Sequence, residues 1–252
     1  MTHRHSFVSF VPFAIIALFL SMFSAKPLSA ESREYDRYAN DNYDMMIDRT
    51  MNSNRADAVG LTRSDVETTD VPDGFGWYVM KAGDDIWKIC GSDKERRIVF
   101  ENVNRVDMYH LGKIVGRKVL VPIDMDLAKS YVPDSIRRTI DFDGRTIVID
   151  KKKQQFAAYE GGRLLFWGAV STAERGFVTS TGTFRILNKE KNHWSNLYRV
   201  QMPYSLRYFN GQFLHFGVLV GGTSSSGCVH LLYESAVRIY KWMQVGDRVV
   251  IM

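Results

Sequence analysis

Hydrophobic and polar positions alternate along the chain in stretches of different rhythm. Phe7 to Phe23 is almost wholly apolar, behind a short basic start of His3, Arg4 and His5. Residues 31–76 are polar and irregular, rich in Asp, Arg, Asn and Ser, and read as a flexible or weakly helical spacer. The rhythm tightens at Trp77. Trp77 to Lys81 reads as a strand and Gly83-Asp84 as a turn. Asp84 or Asp85 is the N-cap of a short helix carrying Ile86, Trp87 and Ile89. A second helix is predicted over Lys94 to Asn102, with Ile98, Val99 and Val103 facing inward. Lys118 to Val121 then reads as a closing strand stopped by Pro122. Strand-helix-helix-strand over residues 77–122 is a small α+β unit.

Residues 123–142 read as a connector that packs along the next domain. From Arg145 the period shortens to that of strands: Thr146 to Ile149, Gln155 to Tyr159, Leu164 to Ser171 and Thr183 to Leu187, with Glu160-Gly161-Gly162 as a hairpin turn. Glu234 to Met243 carries Ala236, Val237, Tyr240 and Trp242 at helical spacing, and Arg248 to Met252 closes the chain as a strand. Residues 143–252 thus read as a mostly β domain with one clear C-terminal helix.

Composition adds little about class, at 45% hydrophobic and 24% charged. A net charge of +5 describes a mildly basic surface, suited to acidic partners in general. No arginine-rich helix or aromatic stacking motif points to nucleic acid. The N-terminal run is more decisive. A basic start, an apolar core and a small residue closing Ser24-Ala25 or, preferably, Leu28-Ser29-Ala30 form the pattern of a secretory signal peptide over residues 1–30. Its apolar length is also near the lower limit for a spanning helix, so an uncleaved anchor is the alternative, and membrane association follows only from that. Either way the rest of the chain is expected outside the cytoplasm.

The chemistry concentrates near the C-terminus. Phe213-Leu214-His215-Phe216-Gly217 is followed by a small-residue run ending Ser225-Ser226-Gly227-Cys228-Val229-His230. A thiol is a strong nucleophile only as thiolate, and an imidazole can take its proton. The chain between His215 and Cys228 is long enough for a strand, a turn and a return. Two other readings compete. Cys90 and Cys228 are the only cysteines, and in an exported protein they could pair as a disulfide. His215, Cys228 and His230 could instead ligate zinc, though no fourth ligand is evident; no metal or other cofactor is expected. His193 and Trp194 read as lying in a polar loop that would either line a substrate groove or stand exposed.

Two resemblances organise these residues. Tyr78, Gly83-Asp84, Ile86-Trp87, Ile89, Asn102 or Asn104, Leu111, and Gly116 to Pro122 resemble a LysM domain over about residues 77–122. That resemblance implies binding of peptidoglycan glycan strands, with Gly83, Asp84 and Asp85 on one side of the groove and Met108 and Tyr109 on the other. From about Arg145 to Met252 the chain resembles the L,D-transpeptidase catalytic domain. Thr181-Gly182-Thr183-Phe184 matches a family turn, with Ser180 in place of proline. Met202-Pro203-Tyr204 matches the entry to the substrate strand. His215, Ser225, Gly227, Cys228 and Val229 match the active-site signature. Ser226 stands where a second histidine is usual, and His230 where arginine or asparagine is usual.

The resemblance implies an exported cysteine acyltransferase acting on peptidoglycan stem peptides. Cys228 would be the nucleophile and His215 the base, its ring oriented by a backbone carbonyl near Phe216. The physical reading adds that the N–H groups of Gly227 and Cys228 could face the oxyanion. Ser225, Ser226 and His230 would support the site, His230 sharing a face with Cys228 by its spacing. Acceptors would be a second stem, a lysine of an outer-membrane protein, or water, the last giving a carboxypeptidase. A catalytically degenerate wall-binding protein is the alternative that the two departures motivate.

Overall fold

The computed structural model describes residues 58–252; the expected signal peptide and the first part of the expected spacer lie outside the described residues. The N-terminal module is closed by an antiparallel pair, β1 (Phe75–Val79) and β2 (Lys118–Pro122). β1 begins two residues before the expected Trp77, because Phe75 and Gly76 find partners in Pro122 and Val121. Between the strands lie α1 (Ile86–Cys90) and α2 (Lys94–Asn104). Asp85 caps α1 by accepting from the Lys88 N–H, and Asp93 caps α2 by accepting from Glu95 and Arg96. Met80, Ile86, Ile89, Cys90, Phe100, Leu111, Ile114 and Val121 form the core.

Two expectations change here. The fully buried positions of α2 are Arg97, Phe100 and Glu101, while Ile98, Val99 and Val103 are only half-buried. The reason is a second neighbour: α2 also faces the C-terminal domain, so its polar side is covered too. Residues 58–76, expected as the end of the spacer, are packed on the module. Leu61 is buried and its N–H donates to Ile89, and Glu67 exchanges two backbone hydrogen bonds with Trp77.

The connector contains α3 (Met125–Ser130) and then runs along the C-terminal domain. Trp167 Nε1 donates to the Tyr131 carbonyl and Tyr159 Oη to that of Arg137.

The C-terminal domain is built from β3 (Arg145–Asp150), β4 (Gln155–Glu160), β5 (Arg163–Ser171), β6 (Gly182–Arg185), β7 (Asn188–Ser195), β8 (Val200–Phe209), β9 (Gln212–Phe216), β10 (Val229–Leu231), α4 (Tyr233–Trp242) and β11 (Arg248–Ile251). Among the described residues the strands form one sheet in the order β6-β11-β3-β4-β5-β10-β9-β8-β7. β10 runs parallel to β9 and antiparallel to β5. One face packs Ile147, Phe156, Leu206, Leu214, Phe216, Val229 and Leu231 against Ala236 and Ile239 of α4. Successive side chains of a strand alternate in direction, so His215 on β9 and His230 on β10 fall on the other face.

The expected strand entry Met202-Pro203-Tyr204 lies in β8, whereas its hairpin partner β7 was not legible as a strand. β7 reads Asn188-Lys189-Glu190-Lys191-Asn192-His193-Trp194-Ser195, polar throughout most of its length, because it is an edge strand with solvent beside it. His193 and Trp194 therefore stand on a strand rather than in the expected polar loop.

Candidate active site

Cys228 lies one residue before β10, at the end of a turn held by main-chain and hydroxyl contacts. The Ser225 hydroxyl donates to the Cys228 carbonyl at 2.6 Å and accepts from the Gly227 N–H at 3.2 Å. Thr179 Oγ1 donates to the Gly227 carbonyl at 3.0 Å. Gly227 has φ +129°, and a Cβ there would come within 3.2 Å of the Val178 carbonyl. The turn thus requires glycine for both conformation and space. The Ser226 carbonyl accepts from Tyr198 Oη at 3.2 Å, which ties the far end of the β7–β8 hairpin to the same turn.

The parallel register pairs Val229 with Leu214 and His230 with His215. This places Cys228, His215 and His230 on one face of adjacent strands. The rings of His215 and His230 stand edge to face at 5.0 Å between centroids. His215 Nδ1 is 2.6 Å from the Phe216 carbonyl and His230 Nδ1 is 3.2 Å from that of Val218. A carbonyl only accepts, so each Nδ1 carries hydrogen and each Nε2 is left with a lone pair. The Cys228 thiol is packed with Val200, Met202 and Phe213, and points at the Gly211 carbonyl at 3.9 Å. Among the described residues no hydrogen bond joins this thiol to the His215 ring.

Burial governs the protonation of the cluster. It pushes the Cys228 thiol up to about 11. It holds the His215 imidazole down to about 3, helped by repulsion from His230 and opposed by the Phe216 carbonyl. It holds His230 down to about 4, opposed by the Val218 carbonyl and by the Asp107 carboxylate. The resting site is therefore a neutral thiol beside two neutral imidazoles.

The remaining expected residues fall as follows. Cys90 and Cys228 are both free thiols, which overturns the disulfide reading: Cys90 is sealed in the N-terminal module and Cys228 in the sheet of the other domain. No group of three His, Cys, Asp or Glu among the described residues is arranged to hold a metal ion, so His215, Cys228 and His230 do not make the alternative zinc site. The Gly227 N–H, one of the two expected oxyanion donors, donates to Ser225 Oγ at 3.2 Å. The His193 ring stacks on Phe213 at 4.7 Å, and Trp194 is exposed.

In the N-terminal module, Asp84 accepts from Tyr78 Oη and the Lys81 N–H and pairs with Lys88, so its side chain holds the turn. Asp85 caps α1. Gly83 has φ +84° with open space beside it, and Tyr109 is exposed.

Residues 144–251 match the YkuD family, the L,D-transpeptidase catalytic domain. These residues form a YkuD-type L,D-transpeptidase catalytic domain. The turn bearing Cys228, the β9–β10 pair and the β7–β8 hairpin all lie within it. A comparison with curated proteins finds no match. Among solved structures the chain is similar to an L,D-transpeptidase (Yku) from Stackebrandtia nassauensis, at 28% identity over 51% of this chain and 65% of that one, TM-score 0.44. It is also similar to an L,D-transpeptidase from Mycobacterium smegmatis, at 19% identity over 55% and 64%, TM-score 0.41. A third is an L,D-transpeptidase from Xylanimonas cellulosilytica, at 18% identity over 64% and 84%, TM-score 0.47. The chain spans less than two thirds of the length of the first two. The domain assignment rests on the family match.

Several residues of the transpeptidase-domain site escaped the sequence reading. Gly217 follows His215-Phe216 directly, and a Cβ on it would strike the His230 ring at 2.6 Å. Its adjacency to a singled-out histidine was the available signal. Tyr198 and Thr179 carried none, since each reaches the turn through the fold alone.

Proposed function

We propose that the chain is an exported peptidoglycan L,D-transpeptidase. Cys228 takes the acyl group of a tetrapeptide stem as a thioester, and an amine acceptor takes it in turn. The observation that carries this reading is the placement of Cys228 and His215 on one face of adjacent strands within the matched domain. The neutral resting pair favours proton transfer during attack over a standing thiolate–imidazolium pair. The sulfur bonds to the amide carbonyl carbon while the thiol proton passes to the free nitrogen of His215. That proton then goes to the departing amine as the C–N bond breaks, releasing D-alanine. His215 already has its other nitrogen fixed by the Phe216 carbonyl. With the Gly227 N–H engaged, the Cys228 N–H is the donor assigned to the oxyanion.

In this reading the N-terminal module is a LysM-type glycan binder, supported by its strand-helix-helix-strand order, with Gly83 and Tyr109 presented at its surface. Residues 1–30 direct export to the periplasm. The acceptor is a second stem or a lysine of an outer-membrane protein, and water as acceptor makes the same site an L,D-carboxypeptidase. The reaction as drawn needs no cofactor.

A second reading is a wall-binding protein that kept the fold and lost the activity. It is favoured by the buried thiol lacking a hydrogen bond to His215 and by the occupied Gly227 N–H. Incubation with a tetrapeptide muropeptide separates the two. Loss of D-alanine by mass in the wild type and not in Cys228→Ala supports the transpeptidase; identical traces support the second reading.

A further inference from the structure

The N-terminal module does more than sit beside the transpeptidase domain. Its segment after α2 pairs with the segment 217–224, which links His215 to the Cys228 turn. Val106 and Val220 form an isolated antiparallel bridge. The Asp107 N–H donates to the Leu219 carbonyl at 3.0 Å, and the Leu219 N–H donates to Asp107 Oδ2 at 2.9 Å. The Gly221 N–H donates to the Arg105 carbonyl at 2.7 Å, and Arg117 donates to the Gly221 carbonyl at 3.0 Å. Asp107 is 4% exposed, and its other oxygen accepts from the Tyr109 N–H and faces His110 Nδ1 at 2.8 Å.

The gripped segment touches the site at two points. The Val218 carbonyl, next to Leu219, faces His230 Nδ1 at 3.2 Å and also accepts from Ser224 Oγ at 2.7 Å. Ser224 in turn precedes Ser225, which holds Cys228. Asp107 thus holds Leu219 twice, its carboxylate accepting from the Leu219 N–H and its own main-chain N–H donating to the Leu219 carbonyl, and the two contacts fix the segment better than either alone.

We propose that the N-terminal module is part of the active centre, and that its Asp107 is a positioning residue. By clamping Leu219 it sets the Val218 carbonyl, and through it the His230 ring that stands against His215. The module is then required for chemistry as well as for any grip on the wall. The contacts stand on their own, while their effect on turnover rests on the transpeptidase reading.

The test uses the full chain, as wild type, Asp107→Ala, Asp107→Asn and Asn102→Ala. Asn102 Oδ1 accepts from the Ala169 N–H at 2.9 Å across the same interface without touching segment 217–224. The first readout is the ring signals of His215 and His230 by NMR, which need no turnover. The second is D-alanine release. Asp107→Ala is expected to shift both rings and to slow release about tenfold or more, as misplacement of a positioned group does. Asn102→Ala is expected to leave rings and rate unchanged. Asp107→Asn keeps an acceptor for the Leu219 N–H and removes the charge. It is expected to hold release within about threefold while lowering the His230 titration.

Unshifted rings in Asp107→Ala overturn the proposal. So do equal losses in Asp107→Ala and Asn102→Ala, which would mean general docking. If Asp107→Ala fails to fold, a Leu219 N–H that exchanges with solvent as fast as an exposed amide in the wild type overturns it, since the clamp requires that N–H to be held. A wild type that releases no D-alanine sinks the transpeptidase reading instead, and the ring signals still decide this one.

Discussion

The two cysteines are nearly equal in burial and opposite in company. Cys90 is 1% exposed and Cys228 7%. Burial is the largest cause raising both thiols above the ordinary range. Cys90 ends α1 among Leu61, Ile86, Ile89 and Phe100, with the Glu101 carboxylate raising it further. Cys228 lies on a glycine-bearing turn with two imidazoles on its own face. Burial therefore does not separate the proposed nucleophile from the structural thiol. What distinguishes Cys228 is the pair of imidazoles that the neighbouring strands set on its own face.

The comparison breaks most directly by deletion. Cys228→Ala is expected to abolish D-alanine release, a fall of about a thousandfold or more as for other lost nucleophiles. Cys90→Ala is expected to leave turnover within about twofold and cost about 1–2 kcal/mol of stability by urea unfolding. Equal effects on turnover would dissolve the distinction.

Reactivity sharpens it next. If burial keeps Cys228 neutral, its alkylation rate by iodoacetamide should climb about tenfold per pH unit from 7 toward 10, without a plateau below about 11. Cys90 should stay unlabelled until the protein unfolds. A plateau for Cys228 near neutral pH would mean a standing thiolate pair.

The module's other buried group offers a contrast in stability. Arg97 pairs with Glu101 at 2.5 Å and also with Glu234 of the transpeptidase domain. Burial pushes the Glu101 carboxyl upward, and the Arg97 guanidinium pulls it back toward the charged form. Arg97→Ala strands that carboxyl and is expected to cost about 3–5 kcal/mol at pH 7 in urea unfolding. A loss below about 1 kcal/mol would show the pair to be dispensable.

Acid should weaken the histidine side as well. The unfolded chain binds protons near pH 6.5, and folded His215 and His230 refuse them until about 3 and 4. Their contribution is thus complete above 6.5 and falls with decreasing pH, by about 1.4 kcal/mol per unit for each ring. His230→Gln should flatten that slope, read by denaturation at pH 4 to 7. The smallest effect is expected from Tyr198→Phe, which removes one hydrogen bond to the Ser226 carbonyl and about 0.5–1.5 kcal/mol.

Local signals were legible in proportion to how local their causes are. The cap at Asp85, the helix at Tyr233–Trp242 and the closing strands follow from side-chain type and spacing. So did the pairing of Cys228 with His215 as candidates, since both lie on runs of recognisable rhythm. The polar β7 did not read as a strand, because an edge strand needs no apolar alternation. The inward face of α2 was misjudged because its second neighbour lies more than a hundred residues away, at Glu234. Asp107 gave no sign at all. A buried carboxylate looks like any surface aspartate until the partner chain segment, here Leu219, is in place.

The central claim is that Cys228, and not Cys90, accepts the acyl group of a wall peptide. Intact mass and peptide mapping after brief exposure to a tetrapeptide donor test it most directly. The expected result is an added acyl mass on the peptide containing Cys228, lost on addition of an amine acceptor. An adduct on Cys90, or none on either thiol while the donor stays whole, would contradict it.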